Sequence, residues 1–301
     1  MRVIIALDHS ECSQFALKSA VSRPWPESSS IKIVHVLEPF DPINSAANAA
    51  QWSTWVETIN TERRSSAQDL LDNAVIALKN RHNRINVTRK LLEAALPDKV
   101  ITEIAKRWSA DVIIMGSHDH RGLKRLLLGS TAMSVLQKTI CSVEIIKSQC
   151  PSTSEQYNVL VALDQSTCSS SLFNTILSYP WSENTVFKIL SVARPEDEKH
   201  MATDVDEKKA SQLEFDLALK AQMLDSRMKS PCSASFEVVA AENPKKDILR
   251  RIEDWPAHLV IVGSHSHVKS GFRKRFLGSV SHAIALDAPC SVAVIKTLES
   301  Q

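Results

Sequence analysis

The chain has 301 residues, 44% of them hydrophobic, and a formal net charge of +2. This length leaves room for two ordinary domains, and the composition is that of a globular protein with a substantial core rather than a disordered chain. No apolar run reaches the length of a membrane span, and basic residues are dispersed outside two short loops, so we expect neither a membrane nor a nucleic-acid partner.

The apolar start of the chain, from Met1 to Asp8, is too short for a signal peptide and is typical of a core strand. We therefore expect a cytoplasmic protein. The cysteines lack metal-type spacing, which favours buried thiols in a reducing compartment.

The first 150 residues predict alternating strands and helices. Strands are expected near 2–8, 31–37, 86–93, 111–116 and 143–147, and helices near 11–22, 45–81, 98–108 and 129–139. Most strands are nearly continuous runs of Val, Ile and Leu, as expected when helices cover both faces of a parallel sheet. In such α/β folds, ligands bind at the carboxyl ends of the strands.

The second part of the chain repeats this sequence pattern. Val3 to Ser10 match Val159 to Ser166 after a shift of 156, and Gly116 and Gly129 match Gly263 and Gly278 after shifts of 147 and 149. A duplicated domain explains this agreement. We therefore predict two domains, 1–149 and 156–301, each a doubly wound α/β fold with a parallel five-stranded sheet.

The closing strands of the two domains, 143–147 and 292–296, are apolar and are expected at a sheet edge. A bare apolar edge invites pairing with another strand. We predict that the two domains join there within one chain, and we leave open whether two chains pair further into a homodimer.

All six glycines lie in two stretches, 116–129 and 263–278, whereas an average chain of this length would carry about 20. Glycine is thus kept where the backbone needs freedom or a ligand approaches closely. Each stretch follows an apolar run and ends in Gly-Ser before a helical pattern. This predicts a serine-capped helix whose N–H groups attract phosphate.

Other polar residues leave alternatives open. Asp8 and Asp164 are equally suited to capping the next helix and to contacting a ligand. The loop histidines His118, His120, His265 and His267 could bind a metal, but solvated or phosphate-facing roles are commoner, and we predict no metal site. No nucleophile with a paired base stands out as a catalytic set.

Three segments together form a specific combination. They are the opening turn, with the pattern hydrophobic-Ala-Leu-Asp-x-Ser, the strand Ile33-Val34-His35-Val36, and the segment from Ala110 to His118. With Leu123 to Ser130 and the Cys-Ser-Val closing strand, they resemble a tandem universal stress protein over nearly the whole chain. The resemblance implies a Rossmann-like fold, similar to the adenine nucleotide alpha hydrolases, in both halves.

The resemblance further implies a site for ATP, ADP or AMP, with or without Mg²⁺, in each half. The acidic residue near the ribose corresponds to Asp8 and Asp164. Positions of the adenine pocket correspond to Ala6, Leu7, Val36, Ala162, Leu163 and Val192. Positions of the phosphate contacts correspond to Gly116, Gly129, Ser130, Thr131, Gly263, Gly278 and Ser279, and we count with them the neighbouring Met115, His118, Asp119, His265 and Val280.

Nucleotide-binding members resemble one another in a pattern G-x-x-G, nine residues, then G-[ST]. Here Asp119 stands where the second glycine is expected, and its carboxylate should repel a triphosphate unless a divalent cation offsets it. The second half has Ser266 there and a loop two residues longer. A change of length displaces more N–H groups than one side chain does, so we expect the first half to be the better site.

These features predict a stress-response protein that senses adenine nucleotide without turning it over. An interaction protein that keeps the fold without binding nucleotide is the alternative from another class. Slow ATP hydrolysis is a third interpretation.

Overall fold

The computed structural model describes residues 1–40, 49–117, 128–151, 155–164, 168–193, 204–228, 233–240, 242–264 and 277–296. The first half contains β1 (Arg2–Ala6), α1 (Glu11–Ser22), β2 (Ser30–Leu37), α2 (Ala49–Arg81), β3 (Asn86–Glu93), α3 (Pro97–Trp108), β4 (Val112–Gly116), α4 (Ser130–Lys138) and β5 (Ser142–Ile146). The second half contains β6 (Tyr157–Leu163), α5 (Cys168–Ser178), β7 (Thr185–Ala193), α6 (Asp204–Arg227), β8 (Ala234–Ala240), α7 (Pro244–Asp254), β9 (Leu259–Gly263), α8 (Ser279–Asp287) and β10 (Ser291–Ile295). The predicted alternation is confirmed, although β1 ends two residues before the predicted 2–8.

The strands form one ten-stranded sheet in the order β3-β2-β1-β4-β5-β10-β9-β6-β7-β8. Within each half every pairing is parallel, whereas β5 and β10 run antiparallel across the join. Two separate sheets were expected, and their merging is the main difference in the fold. It arises because the two closing strands pair, as predicted, so the edge that each half would otherwise expose is used inside the chain.

The apolar strand runs explain the core. Val3, Ile4 and Ile5 of β1 are fully buried, because helices cover both faces of the sheet. On the face of α3, α4, α7 and α8, one hydrophobic cluster runs across the join, while α1 with α2 and α5 with α6 cover separate clusters on the other face. The Pro-flanked Trp25 and Trp181 each donate an indole N–H to a carbonyl of the preceding helix, at 2.6 and 2.8 Å.

An approximate twofold axis passes through the join. Ala293 lies opposite Glu144, and the flanking pairs are Val292 with Ile145 and Val294 with Val143. Because the two halves match there with a shift of 149, Ala293 is the counterpart of Glu144. The axis therefore relates a buried carboxylate to a methyl group.

Two lysines cross this axis in opposite directions. Lys147 Nζ donates to the carbonyl of Ala288 at 2.8 Å, just beyond the end of α8. Its counterpart Lys296 donates to the carbonyls of Leu136 and Thr139 at the end of α4, at 2.8 and 2.7 Å. Each half thus supplies the cation that satisfies the last carbonyls of the other half's final helix.

One ion pair at the join has no counterpart in the other half. Arg23 Nη2 donates to Glu144 Oε1, and both side chains are buried. The residue that matches Arg23 is Tyr179, whose ring lies 5.6 Å from the guanidinium carbon. Within the described residues, Arg23 Nη1, Glu144 Oε2 and the Tyr179 hydroxyl have no hydrogen-bond partner. The join is therefore matched in shape but unequal in charge.

The crossing lysine predicts a pH effect on stability. Burial lowers the pKa of Lys147 to about 8, below the usual value of 10.5. Between these two values the unfolded chain binds the additional proton, so this group's contribution to the free energy of unfolding rises with pH. We expect the difference in stability between the wild type and Lys147→Met to shift in favour of the wild type from pH 7 to pH 9.5, measured by urea unfolding. A difference that stays constant over this range would contradict a lowered pKa.

Candidate functional site

The carboxyl ends of β1 and β4 form the centre of the candidate site in the first half. Ala6 pairs in register with Met115 of β4 and with Val34 of β2. Ala6 and Met115 belong to the core cluster under α3 and α4, and Val36 packs against the same cluster. The structure therefore brings together Ala6 and Val36, which the resemblance assigns to the adenine pocket, and Met115, which was counted with the phosphate contacts.

The second half repeats this arrangement. Ala162 pairs with Val262 of β9, and both Ala162 and Val192 pack against the same extended cluster. The described residues at this edge of the first half can therefore be compared with their counterparts in the second half.

Leu7 and Leu163 do not share this pocket, which corrects the prediction for their side chains. Both leucines lie in the clusters on the opposite face of the sheet. The main chain of Leu7 is also occupied, because its N–H donates to Val34 O at 2.9 Å and its carbonyl lies 2.7 Å from His35 Nδ1. Side chains alternate along a strand, so Leu7 must turn away from the face that Ala6 lines.

His35 has a structural role at this edge that the sequence analysis did not identify. Its buried ring orders the β1 end by holding the Leu7 carbonyl, and burial keeps the pKa of His35 below its ordinary value. The neutral ring then carries its proton on Nδ1, where it donates to that carbonyl. The sequence contained a signal for this role, because His35 follows the buried Ile31 and Ile33 at two-residue spacing and so belongs to the same face of the strand.

Asp8 supports a helix cap rather than forming one. The N-cap of α1 is Ser10, whose hydroxyl oxygen accepts from Ser13 N–H at 3.2 Å. Asp8 Oδ1 accepts from the Ser10 N–H at 2.9 Å and from the Ser10 hydroxyl at 2.5 Å. In the second half, Asp164 accepts instead from the Ser169 hydroxyl at 2.8 Å. Both carboxylates remain exposed at the carboxyl edge of the sheet, where a ligand could reach them.

Gly116 is required by the protein's own backbone. A Cβ atom there would lie 2.5 Å from Cys12 C and 2.5 Å from Ser13 N, in the first turn of α1. The sequence analysis gave backbone freedom or close approach by a ligand as reasons for a glycine, and the structure shows close approach by a helix. At Gly263 the nearest atom to a Cβ is the tip of the Leu172 side chain, at 3.0 Å.

The final helix of each half begins at a glycine. Gly129 and Gly278 are the N-caps of α4 and α8, and neither helix has a side-chain cap hydrogen bond. Ser130 and Ser279 are instead the first residues of these helices, exposed to solvent, which corrects the predicted serine cap. Thr131 and Val280 follow, half-buried. N–H groups at such an uncapped helix start suit an anion.

The two helix starts differ in their hydrogen bonds. In the second half, Gly278 N–H donates to Ser264 O at 3.3 Å, and the Ser281 hydroxyl donates to Gly263 O. The counterpart of Ser281 is Ala132, which cannot form such a bond, and Gly129 N–H donates to no described residue. The second half therefore links its helix start to the end of β9, whereas no such link occurs among the described residues of the first half.

Some predicted residues lie outside the described part of the chain, namely His118, His120, Asp119, His265, Ser266 and His267. Among the described residues, no group of three or more His, Cys, Asp or Glu side chains could hold a metal ion. None of the helices in the described ranges is long and apolar enough to cross a bilayer. The buried thiols of Cys12, Cys141 and Cys290 form no disulfide, in agreement with the sequence analysis.

Solved structures show the same fold. A universal stress protein from Archaeoglobus fulgidus superposes with a TM-score of 0.66 at 19% identity, covering 100% of this chain and 97% of that one. A functionally unknown protein from Pseudomonas aeruginosa superposes with a TM-score of 0.61 at 15% identity, covering 98% of this chain and 92% of that one.

Sequence comparisons agree with the structural ones. A universal stress protein from Mycobacterium tuberculosis is 25% identical over 247 residues, which is 81% of this chain and 79% of the relative. One from Methanocaldococcus jannaschii is 24% identical over 152 residues, covering 48% of this chain and 94% of the relative. The sequence pattern of the Universal stress protein family matches twice, at residues 1–147 and 157–296. The chain is therefore a member of the universal stress protein family that carries the family's domain twice.

Proposed function

We propose that this protein binds an adenine nucleotide as a sensing module in a stress response, without turnover as its purpose. The observation that carries the proposal is the uncapped start of α4 beside the carboxyl ends of β1 and β4. Backbone N–H groups at a helix start bind phosphate through hydrogen bonds and the helix dipole.

The residues present fit such a ligand. The N–H groups of Gly129, Ser130 and Thr131 would face phosphate oxygens, and the exposed carboxylate of Asp8 would accept from ribose hydroxyls. Ala6, Val36 and Met115 offer an apolar surface to the base. We infer that the first half is the better site, because in the second half Gly278 N–H already has an acceptor.

A matched pair of substitutions tests the site and the ranking. Ser130→Glu and Ser279→Glu both place a carboxylate on the first, exposed residue of a nine-residue helix. A glutamate there favours the helix dipole but opposes a bound phosphate, so binding should fall while the fold is retained. We expect isothermal titration of the full chain with ATP and Mg²⁺ to show at least a tenfold weaker affinity for Ser130→Glu, and a smaller change for Ser279→Glu.

The outcomes separate the alternatives. A larger loss in Ser279→Glu would reverse the ranking of the halves, and unchanged binding in both variants would remove phosphate from these helix starts. No binding by the wild type, with no nucleotide released from the purified protein in mass spectrometry, would leave the interaction-protein alternative. A phosphate-release assay on the same samples would detect slow hydrolysis.

A further inference from the structure

A second concave surface lies along α3, on the same face of the sheet as the candidate nucleotide site and next to Val36, which pairs with Leu92 of this surface. It encloses about 760 Å³ between this helix and the outer strands β2 and β3. Its lining comprises Lys32, Lys90, Leu92, Lys99, Val100, Thr102, Glu103, Ile104, Arg107 and Trp108, which we call the α3 groove. None of the residues assigned to the nucleotide is among them.

The charges of the α3 groove are strongly unequal. Arg107 pairs with Glu103 at 2.6 Å. In the described part of the chain no carboxylate lies within ion-pair distance of Lys32, Lys90 or Lys99. Burial and the nearby charge of Lys90 lower the pKa of Lys32. Several ammonium groups therefore share one groove, and the described residues supply no carboxylate within ion-pair distance of them.

Lys32 and Lys90 lie on one face of the sheet. Lys32 is paired with Thr88, and Lys90 with Val34, so the lysines occupy diagonal positions on neighbouring strands. The floor beside them is apolar, formed by the half-buried Leu92, Val100 and Ile104 and by Trp108. Lys32 Nζ lies 4.2 Å from the centre of the Trp108 ring, which keeps this lysine over the floor.

The duplicated half shows that this charge is not a requirement of the fold. There Lys188 lies over Trp255 at 5.3 Å, as Lys32 lies over Trp108. The counterpart of Lys90, however, is Glu237, which pairs with Arg251. In the second half the lysine–tryptophan contact thus lies beside the Glu237–Arg251 ion pair. In the first half it lies beside Lys90, which has no carboxylate partner among the described residues.

We propose that the α3 groove binds a small organic anion, with an apolar or aromatic body on the floor and its carboxylate, sulfonate or phosphate between Lys32 and Lys90. Charge complementarity selects the head group, because no carboxylate of the described ranges lies within ion-pair distance of these three lysines. The volume lies within the range of about 300–1,000 Å³ found for small-molecule sites, which are mostly apolar with a few placed polar groups.

The fluorescent anion 8-anilinonaphthalene-1-sulfonate tests the proposal on the full chain. Wild-type protein should bind it, and Lys90→Glu, which gives the groove the residue of the second half, should weaken binding at least tenfold. The indole signal of Trp108 in a ¹H–¹⁵N spectrum, assigned with Trp108→Phe, should shift on titration while that of Trp255 stays in place. ATP binding by Lys90→Glu should remain at the wild-type level.

Lys99→Glu and Lys246→Glu form the matched control, since both positions are the third residue of equivalent helices. Only Lys99→Glu should weaken binding of the probe. Equal weakening by both would indicate general attraction to surface charge and would overturn the proposal. So would absence of binding to the wild type, binding that Lys90→Glu leaves intact, or a shift of Trp255 in place of Trp108.

Discussion

Replacing Arg23 by alanine should destabilise the protein by about 3–5 kcal/mol, the usual cost of leaving a buried charge without its partner. Glu144 is fully buried in β5 and lies at the centre of the join between the halves. Burial acts to lower the pKa of Arg23, but the charge and hydrogen bond of Glu144 outweigh it, and the pKa is raised. A single truncation at Arg23 therefore leaves the buried Glu144 side chain without its ion-pair partner. Urea unfolding at pH 7 measures the loss.

A double substitution separates the charge from the packing. Arg23→Met with Glu144→Leu removes both charges and keeps most of the volume, so we expect stability within about 1 kcal/mol of the wild type. The unpartnered Arg23 Nη1 and Glu144 Oε2 favour this result, because the pair is incompletely satisfied as it stands. If the double variant is as unstable as Arg23→Ala, then shape at the join matters more than the ion pair.

Gly116→Ala should destabilise the first half by about 3 kcal/mol, at the upper end of the cost of overpacking. The added Cβ would lie 2.5 Å from main-chain atoms of Cys12 and Ser13, so α1 must move relative to β4. The start of α1 is held by the Ser10 cap and by Asp8, so its main chain cannot move aside as easily as a side chain can rotate. The midpoint of thermal unfolding, followed by circular dichroism, measures the effect.

Gly263→Ala is the matched control, because it makes the same change at the equivalent position of the second half. Among the described residues, the atom nearest to the added Cβ is there the end of the Leu172 side chain at 3.0 Å, which can shift by rotation. We expect a cost of about 1 kcal/mol or less. Equal effects of the two substitutions would show that the approach of α1 to Gly116 is looser than the distances indicate.

The sequence was sufficient for the order of elements, for the duplication and for the pairing of the closing strands. These features depend on apolar periodicity and on internal repetition, which are local or directly comparable signals. It could not show that Gly116 serves α1, because that requirement arises from contact between residues about 100 positions apart. The same holds for Asp8, whose carboxylate could reach either the helix or a ligand until the cap at Ser10 is seen.

The candidate site was predicted in part. Ala6, Val36 and Met115 pack in one cluster, but their contact with a nucleotide stays a prediction, whereas Leu7 faces the opposite cluster because side chains alternate along β1. A search for exposed polar residues does not find His35, because its ring is buried and donates to the Leu7 carbonyl. The roles of Asp119, His118 and His265 stay predictions, and the substitutions at Ser130 and Ser279 test the helix starts beside them.

The unequal join has a consequence for how this chain can change by mutation. In an assembly of two identical subunits, every substitution on the axis appears twice, so a carboxylate at position 144 would confront its own copy. Here it meets Ala293 and a guanidinium, because a single polypeptide carries both sides. Each half of the chain can then change independently of the other. Lys90 and Glu237, which are counterparts outside the join, can therefore differ without affecting the pairing of β5 and β10. Covalent fusion thus frees both interface and outer surface from the requirement of self-complementarity.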